Sequence, residues 1–428
     1  MTVGIVGGGI TGLALQHYLS AEGVESVVFD AAPEPGGVID SRRIEGRVLD
    51  FGPQRTRLSP PLDSLVDSLG LRDELREADD GPLYVYRDGA RRRVPFTPRE
   101  AVETDLLSWR GKLRLLAEPL TGSPRDQETI ETFLTRTLGR EAAQYLVGPL
   151  YAGVYASHPD EMRVKHSFGR ALDAHDVSGS LLVAAAKAAL RGADLPPAVT
   201  FDDGMQTLPQ ALYAAHRDRV HLDTPVEAVR DAGEGFRLET LSRSVPVSTV
   251  ILTTPAATTA GLLDSVAPET AKALAQLTYN SLAVVHLAAE ATLDGAGHQV
   301  QYDEDYRTLG VTYNASLFGR DGVYTCYLGG SRYPDLLDES TATLRRLAES
   351  EFREMTGVDA RALTVRRRPN VMPAYDTSWD ALDDVATPPG IHLCANYESR
   401  AGLPGRVRQA KGVATRVAAA ATGDRMAV

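Results

Sequence analysis

Apolar and polar positions along the chain change period several times, and each change marks an element. Residues 3–6, Val-Gly-Ile-Val, form a short apolar run that ends in Gly7-Gly8-Gly9, which predicts a buried strand entering a turn. Residues 13–21 carry apolar side chains at three- and four-residue spacing, which predicts a helix leaving that turn. A second apolar run, 24–29, ends on Asp30, and 48–54 reads as a strand closing in the turn Gly52-Pro53-Gln54. From 98 to 195 the period is helical, as in 113–120, 129–138, 141–146 and 181–190. Strand patterns return at 220–226, 236–238 and 247–253, and longer ones at 282–287, 306–312 and 323–328. A buried strand at 390–396, a glycine turn at 402–405 and a helix at 406–420 follow.

The expected fold class is α/β: a discontinuous Rossmann-like dinucleotide domain, a mixed-sheet substrate domain and an inserted helical lobe. The dinucleotide domain is expected from 1–75, 196–262 and 386–428. The substrate domain is expected from 76–97 and 263–385, and the lobe from 98–195.

The glycines carry the first chemistry. Gly7, Gly9 and Gly12 stand in G-x-G-x-x-G spacing between a strand and a helix. The first permits a tight turn, the second lets backbone approach a pyrophosphate, and the third lets helix and strand pack closely. Gly7, Gly8, Gly9, Ile10, Thr11 and Gly12 are thus the expected phosphate cradle, at a helix N-terminus whose unpaired N–H groups attract anions. Asp30 follows Gly12 by 18 residues, where an acid hydrogen-bonds a ribose 2′-OH and disfavours a 2′-phosphate. A second glycine pair, Gly36-Gly37, lies just beyond the acid. It suits a loop against a dinucleotide larger than NAD and predicts FAD. Gly52 and Pro53 are expected to bring backbone against a flavin ring, and Thr254-Pro255-Ala256 makes another tight backbone turn.

Composition excludes more than it assigns. At 428 residues and a net charge of −12, nucleic acid is an unexpected partner. Of 45 basic residues only 5 are lysine, which says nothing of function. Cys326 and Cys394 form no CxxC, so no metal is expected and both read as buried thiols. The first strand starts at residue 2, which predicts no secretory leader, and no apolar run reaches the roughly 18 residues of a membrane span. The expectation is a cytoplasmic protein, with contact at a membrane surface compatible and the oligomeric state unspecified. The nine histidines show no paired motif and read as structural, so no catalytic side chain is expected.

Longer motifs narrow the reading. Phe133-Leu134-Thr135-Arg136-Thr137-Leu138-Gly139-Arg140-Glu141 precedes Gly148-Pro149-Leu150-Tyr151-Ala152-Gly153-Val154-Tyr155-Ala156. Asp203-Gly204-Met205-Gln206-Thr207-Leu208-Pro209, 309–318, Leu328-Gly329-Gly330-Ser331 and Met372-Pro373-Ala374-Tyr375 follow in order. On these segments the chain resembles, nearly end to end, the flavin-dependent protoporphyrinogen and coproporphyrinogen oxidases of the amine-oxidase-like FAD superfamily.

The resemblance implies that the first glycine loop and Asp30 hold the FAD pyrophosphate and ribose. Gly36, Gly37 and Val38 would line the ribityl region, and Gly52, Pro53, Gln54 and Arg55 would face the flavin. Val226 would meet adenine, with Thr254 nearby. Ala395, Asn396 and the turn Ala401-Gly402-Leu403 would close over the cofactor. A tetrapyrrole would lie against Tyr313 and Asn314, with Arg55, Arg57, Arg87 and the run Arg91-Arg92-Arg93 as candidates for its carboxylates. The implied reaction removes six electrons from a porphyrinogen, with dioxygen as acceptor and hydrogen peroxide as product, in heme biosynthesis. The alternatives are a flavin amine oxidase or other FAD dehydrogenase, and a non-catalytic FAD-bound scaffold. The amine-oxidase alternative is weakened because no lysine lies between Lys272 and Lys411, where such enzymes carry one near the flavin. The sequence departs from the family at Asp40, Gln54, Leu83, Asp203 and Ala410, so no carboxylate clamp is visible.

Overall fold

In the computed structural model, residues 2–79, 81–121, 124, 125, 127–167, 169, 180–183, 187, 196–399 and 402–426 are described. Five short strands line up all-parallel in the order Val220–His221, Glu25–Phe29, Thr2–Val6, Thr249–Leu252, Ile391–Leu393. Three distant stretches of sequence therefore build one sheet. Helix Ile10–Ala21 packs on one face beside helix Leu403–Met426, where Val3, Ile5, Leu13, Leu15, Val407 and Val413 share a core. A three-stranded antiparallel sheet, Val226–Asp231, Phe236–Thr240 and Ser244–Val247, covers the other face. Gly4 permits that closure: a Cβ there would lie 2.6 Å from Leu238 Cδ1.

The pattern at 247–253, expected as one strand, is two strands in different sheets, Ser244–Val247 and Thr249–Leu252. The Ser248 N–H and hydroxyl both donate to the Thr2 carbonyl, at 2.9 and 3.0 Å, and this carries the chain from one layer to the next. The run 220–226 divides likewise, between Val220–His221 and Val226–Asp231. Period two reports a pleated strand but not which sheet receives it.

The second unit is a seven-stranded mixed sheet in the order Arg361–Pro373, Tyr279–Ala288, Val323–Gly329, Thr308–Thr312, Gly297–Val300, Leu83–Arg87, Ala90–Arg93. Among its pairs, Gly297–Val300 with Leu83–Arg87 runs parallel. Ala283, Val285 and Leu287 face helix Thr341–Thr356 and bury Leu344, Ala348 and Phe352. By alternation, Leu282, Val284 and His286 face the parallel-sheet unit. His286 Nε2 lies 3.0 Å from the Asp50 carbonyl across that interface.

The helical stretch holds Pro98–Glu103, Trp109–Leu115, Ile130–Leu138 and Gly148–Tyr155. Local capping starts the first three: Thr97 and Glu100 form a capping box, and Ser108 and Thr129 accept from Gly111 and Thr132 N–H groups. Phe96, Val102, Trp109, Leu113, Leu116 and Leu120 are exposed here. The helix expected over 181–190 lies largely outside the described residues. Among the described residues no helix is long and apolar enough to cross a membrane.

Candidate cofactor and substrate cleft

Strand Thr2–Val6 delivers the first glycine loop to the carboxyl end of the parallel sheet, where ligands of such sheets bind. Gly7 has φ +112°, and a Cβ on Gly12 would stand 1.9 Å from the Gly7 carbonyl oxygen. The Thr253 hydroxyl lies 3.0 Å from both the Val6 and Gly7 carbonyls and braces the turn. No side chain caps helix Ile10–Ala21, so its first N–H groups remain available to an anion. The two glycine pairs meet: Gly36 N–H donates to the Gly8 carbonyl at 3.0 Å. A Cβ on Gly9 would find nothing closer than 4.0 Å, the nearest atoms being Gly36 O and Gly37 Cα. It would enter open space between the two loops, so the loops form a cradle that fits a pyrophosphate.

Asp30 sits at the end of strand Glu25–Phe29 and accepts from the Gly8 and Ala32 N–H groups. Val38 is half exposed, and Gly52 runs beside it so closely that a Cβ would lie 2.1 Å from the Val38 carbonyl. Pro53 follows on that rim. Thr254 Oγ1 is 2.8 Å from Thr259 Oγ1, and Val226 begins its strand opposite Thr240. Ala395 is buried, and Asn396 Oδ1 accepts from the Tyr279 hydroxyl at 3.0 Å. Gly402, at φ +93°, and buried Leu403 lead into the last helix, while Ala401 lies outside the described residues. Ile10, Thr11 and Gly12 are all buried at the start of the first helix.

Beneath this rim lies a buried polar layer that sequence reasoning missed. Asp50 accepts from the Ser41 hydroxyl at 2.5 Å and the Met205 N–H at 2.8 Å, and pairs with Arg320 at 3.4 Å. Burial pushes the Asp50 carboxyl up and pulls the Arg320 guanidinium down. Gln54 turns inward rather than toward the cleft. Its Nε2 donates to the Asp50 and Gly52 carbonyls, and its Oε1 accepts from Asn314 Nδ2 at 2.8 Å and Thr325 Oγ1 at 3.2 Å. Asp40 is paired with Arg42, Arg366 and Arg368 at 2.9, 3.3 and 3.7 Å.

Next to Gln54, Arg55 points the other way. It keeps accessible surface, yet it is enclosed enough that burial pulls its guanidinium down. It makes no hydrogen bond or ion pair among the described residues, and the nearest phenol acting on it is Tyr327. Burial likewise pushes the Tyr327 phenol up to about 12. Tyr327 packs with Ala156, Leu282, Val284, Leu309, Val371 and Met372 into an apolar wall. An exposed cation without a hydrogen-bond partner, within electrostatic reach of the Tyr327 phenol on that wall, is a place for an amphiphilic anion.

Of the expected substrate residues, Tyr313, Asn314, Arg57 and Arg87 are not brought together. Tyr313 is fully buried, its hydroxyl held by Arg91 at 3.1 Å and His298 at 2.8 Å. Asn314 is buried in the Gln54 layer. Arg87 pairs with Asp88, donates to the Leu106 carbonyl and stacks on Tyr145 at 3.6 Å. Arg57 is exposed and donates to the Pro196 carbonyl. Their apolar or cationic character was legible, but the face each takes depends on strand register. The alternation Thr325, Tyr327 along Val323–Gly329 is the signal that points to Tyr327.

The flavin containing amine oxidoreductase family model matches residues 10–420, and the chain belongs to that family. This defines a flavin-dependent oxidoreductase. Among curated relatives, protoporphyrinogen oxidase 2 of Arabidopsis thaliana is 27% identical over 94% of this chain and 90% of its own. Protoporphyrinogen oxidase of Bos taurus is 31% identical over 77% of each chain. Among solved structures, one from Exiguobacterium sp. 255-15 superposes with TM-score 0.80 at 23% identity, covering 97% of this chain and 98% of that one. Cyclohexylamine oxidase from Brevibacterium oxydans superposes with TM-score 0.73 at 16% identity, covering 98% and 99%.

Proposed function

We propose that this protein binds FAD in the double-glycine cradle and oxidises a porphyrinogen, protoporphyrinogen IX or coproporphyrinogen III, to the porphyrin. FAD supplies a two-electron acceptor when bound. Three turnovers remove six electrons and six protons, and three molecules of dioxygen leave as hydrogen peroxide. The chain's own part is placement. The first-turn N–H groups, Gly9 and Gly37 would hold the pyrophosphate, and the Asp30 carboxylate the ribose. The apolar wall of Leu282, Val284, Leu309, Tyr327 and Met372 would exclude water and pack against the macrocycle. Arg55 would meet a propionate, because a guanidinium without a partner favours a carboxylate.

The observation that carries this reading is Arg55, without a hydrogen-bond or ion-pair partner among the described residues and within electrostatic reach of Tyr327 on that wall, in a chain with protoporphyrinogen oxidase relatives. Amine oxidation is disfavoured: Lys112 donates to Val102 O, Lys165 pairs with Asp383, Lys411 lies over Tyr18, and Lys272 is exposed on helix Pro268–Leu274. None of these four lines the wall around Tyr327.

The test follows porphyrin fluorescence from each porphyrinogen, with heat-killed protein as the autoxidation control. Enzyme-dependent formation from either supports the proposal. No rate with both, together with flavin bleaching by an amine under anaerobic conditions, overturns it. Arg55→Gln is expected to lower kcat/KM by about tenfold to a hundredfold, mainly through KM, since a charge-assisted hydrogen bond is lost. A porphyrinogen methyl ester should not distinguish the variant from wild type.

A further inference from the structure

The helical stretch meets the seven-stranded sheet at a group of oxygen and nitrogen donors with no established use, beside a cavity that Ala156 and Leu309 of the apolar wall also line. Glu131, His158 and Asp160 each present a ligand atom within 4.8 Å of the others. Asp303 Oδ1 stands 4.0 Å from His158 Nε2. The cluster is built rather than incidental. The Glu131 N–H donates to the Pro159 carbonyl at 3.0 Å, and the His158 N–H to Ser331 Oγ at 3.0 Å. Asp303 Oδ2 is fixed by Gln144 at 2.7 Å and Gln301 at 3.0 Å, which leaves Oδ1 toward the imidazole.

Two further facts point to a cation. No lysine or arginine pairs with Glu131, Asp160 or Asp303 among the described residues; the His158 imidazole, hydrogen-bonded to Asp160 through Nδ1, is the basic group beside them, so carboxylates outnumber it. Arg332, which lines the same cavity, is committed to the Tyr302 and Glu304 carbonyls. Independently, Tyr302 is 6% exposed and its hydroxyl is buried without a hydrogen-bond partner. Its ring packs edge-on to His158 at 4.7 Å, and after burial the charges of Glu131, Asp303 and Asp160 act on that hydroxyl. A buried donor left unmade costs about 1–3 kcal/mol, so this hydroxyl is placed to serve a ligand of the cluster.

We propose that Glu131, His158 and Asp160 form a site for one divalent transition-metal ion at the seam between the helical stretch and the seven-stranded sheet, with Asp303 facing the other imidazole nitrogen as an outer partner of the histidine. One imidazole among carboxylates suits Zn2+ or Mn2+, whereas Mg2+ and Ca2+ favour oxygen-only sets. Tyr302 donates to a coordinating carboxylate or a bound water, as outer partners of metal ligands do. The proposal is independent of the porphyrinogen reading.

The test uses full-length protein stripped with chelator and dialysed. Titration with Zn2+ or Mn2+ should give one ion per chain and raise Tm by a few degrees at about a hundredfold excess over Kd. Mg2+ and Ca2+ should not. Asp160→Asn and His158→Gln should weaken binding at least tenfold, and Asp160→Asn should leave the metal-free Tm within a degree or so, because its side chain lies at the surface. Tyr302→Phe should weaken it about tenfold. No saturable binding, or binding unchanged in these variants, overturns the site.

Discussion

Gly9 and Gly12 belong to one motif but would fail differently. At Gly9 an added side chain enters open space between the glycine loops. Gly9→Val is therefore expected to fold with near wild-type Tm and to lose bound flavin, read as the ratio of absorbance near 450 nm to that at 280 nm. Flavin retention in that variant would remove the cradle assignment. At Gly12 the added atom strikes the Gly7 carbonyl at 1.9 Å, and backbone has no rotamer by which to yield. Gly12→Ala should lower unfolding stability by about 1–3 kcal/mol, as overpacking does, measured by urea denaturation. Asp50→Ala should cost more, about 3–5 kcal/mol, since it strands the buried Arg320 charge. The glycines were legible in the sequence because strand, turn and helix surround them within a dozen residues. The Asp50–Arg320 pair was not, since its partners lie on separate elements that only packing brings together.

At the scale of elements, local signals decided where helices begin and end. Thr97, Ser108 and Thr129 stand one residue before their helices. Gly139, at φ +91°, ends helix Ile130–Leu138 and redirects the chain. A Cβ there would also stand 2.4 Å from Arg114 Cγ. Gly139→Ala is thus expected to destabilise by about 1–3 kcal/mol, visible as a lower urea midpoint without a change in slope. Strand existence was equally legible, yet sheet membership was not. Residues 247–253 and 220–226 are each continuous in pattern, but in the structure each divides between two sheets. The difference rests on long-range partners such as the Thr2 carbonyl at Ser248, which no local period encodes. Tyr313 shows the same limit: it follows strand Thr308–Thr312 and packs into the core, while Tyr327 on the adjacent strand reaches the wall.

The molecule as a whole joins its two sheets through buried histidines and arginines. His286 bridges to Asp50, and burial lowers its imidazole to about 4. His298 is lowered by burial to about 3. Both are neutral when folded and return to the ordinary histidine value of 6.5 when unfolded. A depressed histidine favours the folded state fully above its unfolded pKa, and the advantage is lost as pH falls toward the folded value. Stability should therefore drop between pH 7 and pH 5 by about 2 kcal/mol per histidine. Urea titrations of wild type and His286→Asn at both pH values check this. An equal drop in both proteins would exclude His286 as a contributor.

The sequence by itself determined the α/β class, the parallel sheet assembled from distant stretches, and a glycine loop shaped for a dinucleotide. Those features rest on short-range rules: alternation, helical spacing, caps, and glycine where backbone must approach backbone. Tertiary structure decided which side chains face the cleft. It turned Gln54, Tyr313 and Asn314 into the interior and left Tyr327 on the apolar wall, with Arg55 within electrostatic reach of it. A one-residue change of register exchanges the faces of a strand, so the residues that would choose a substrate are set by long-range pairing.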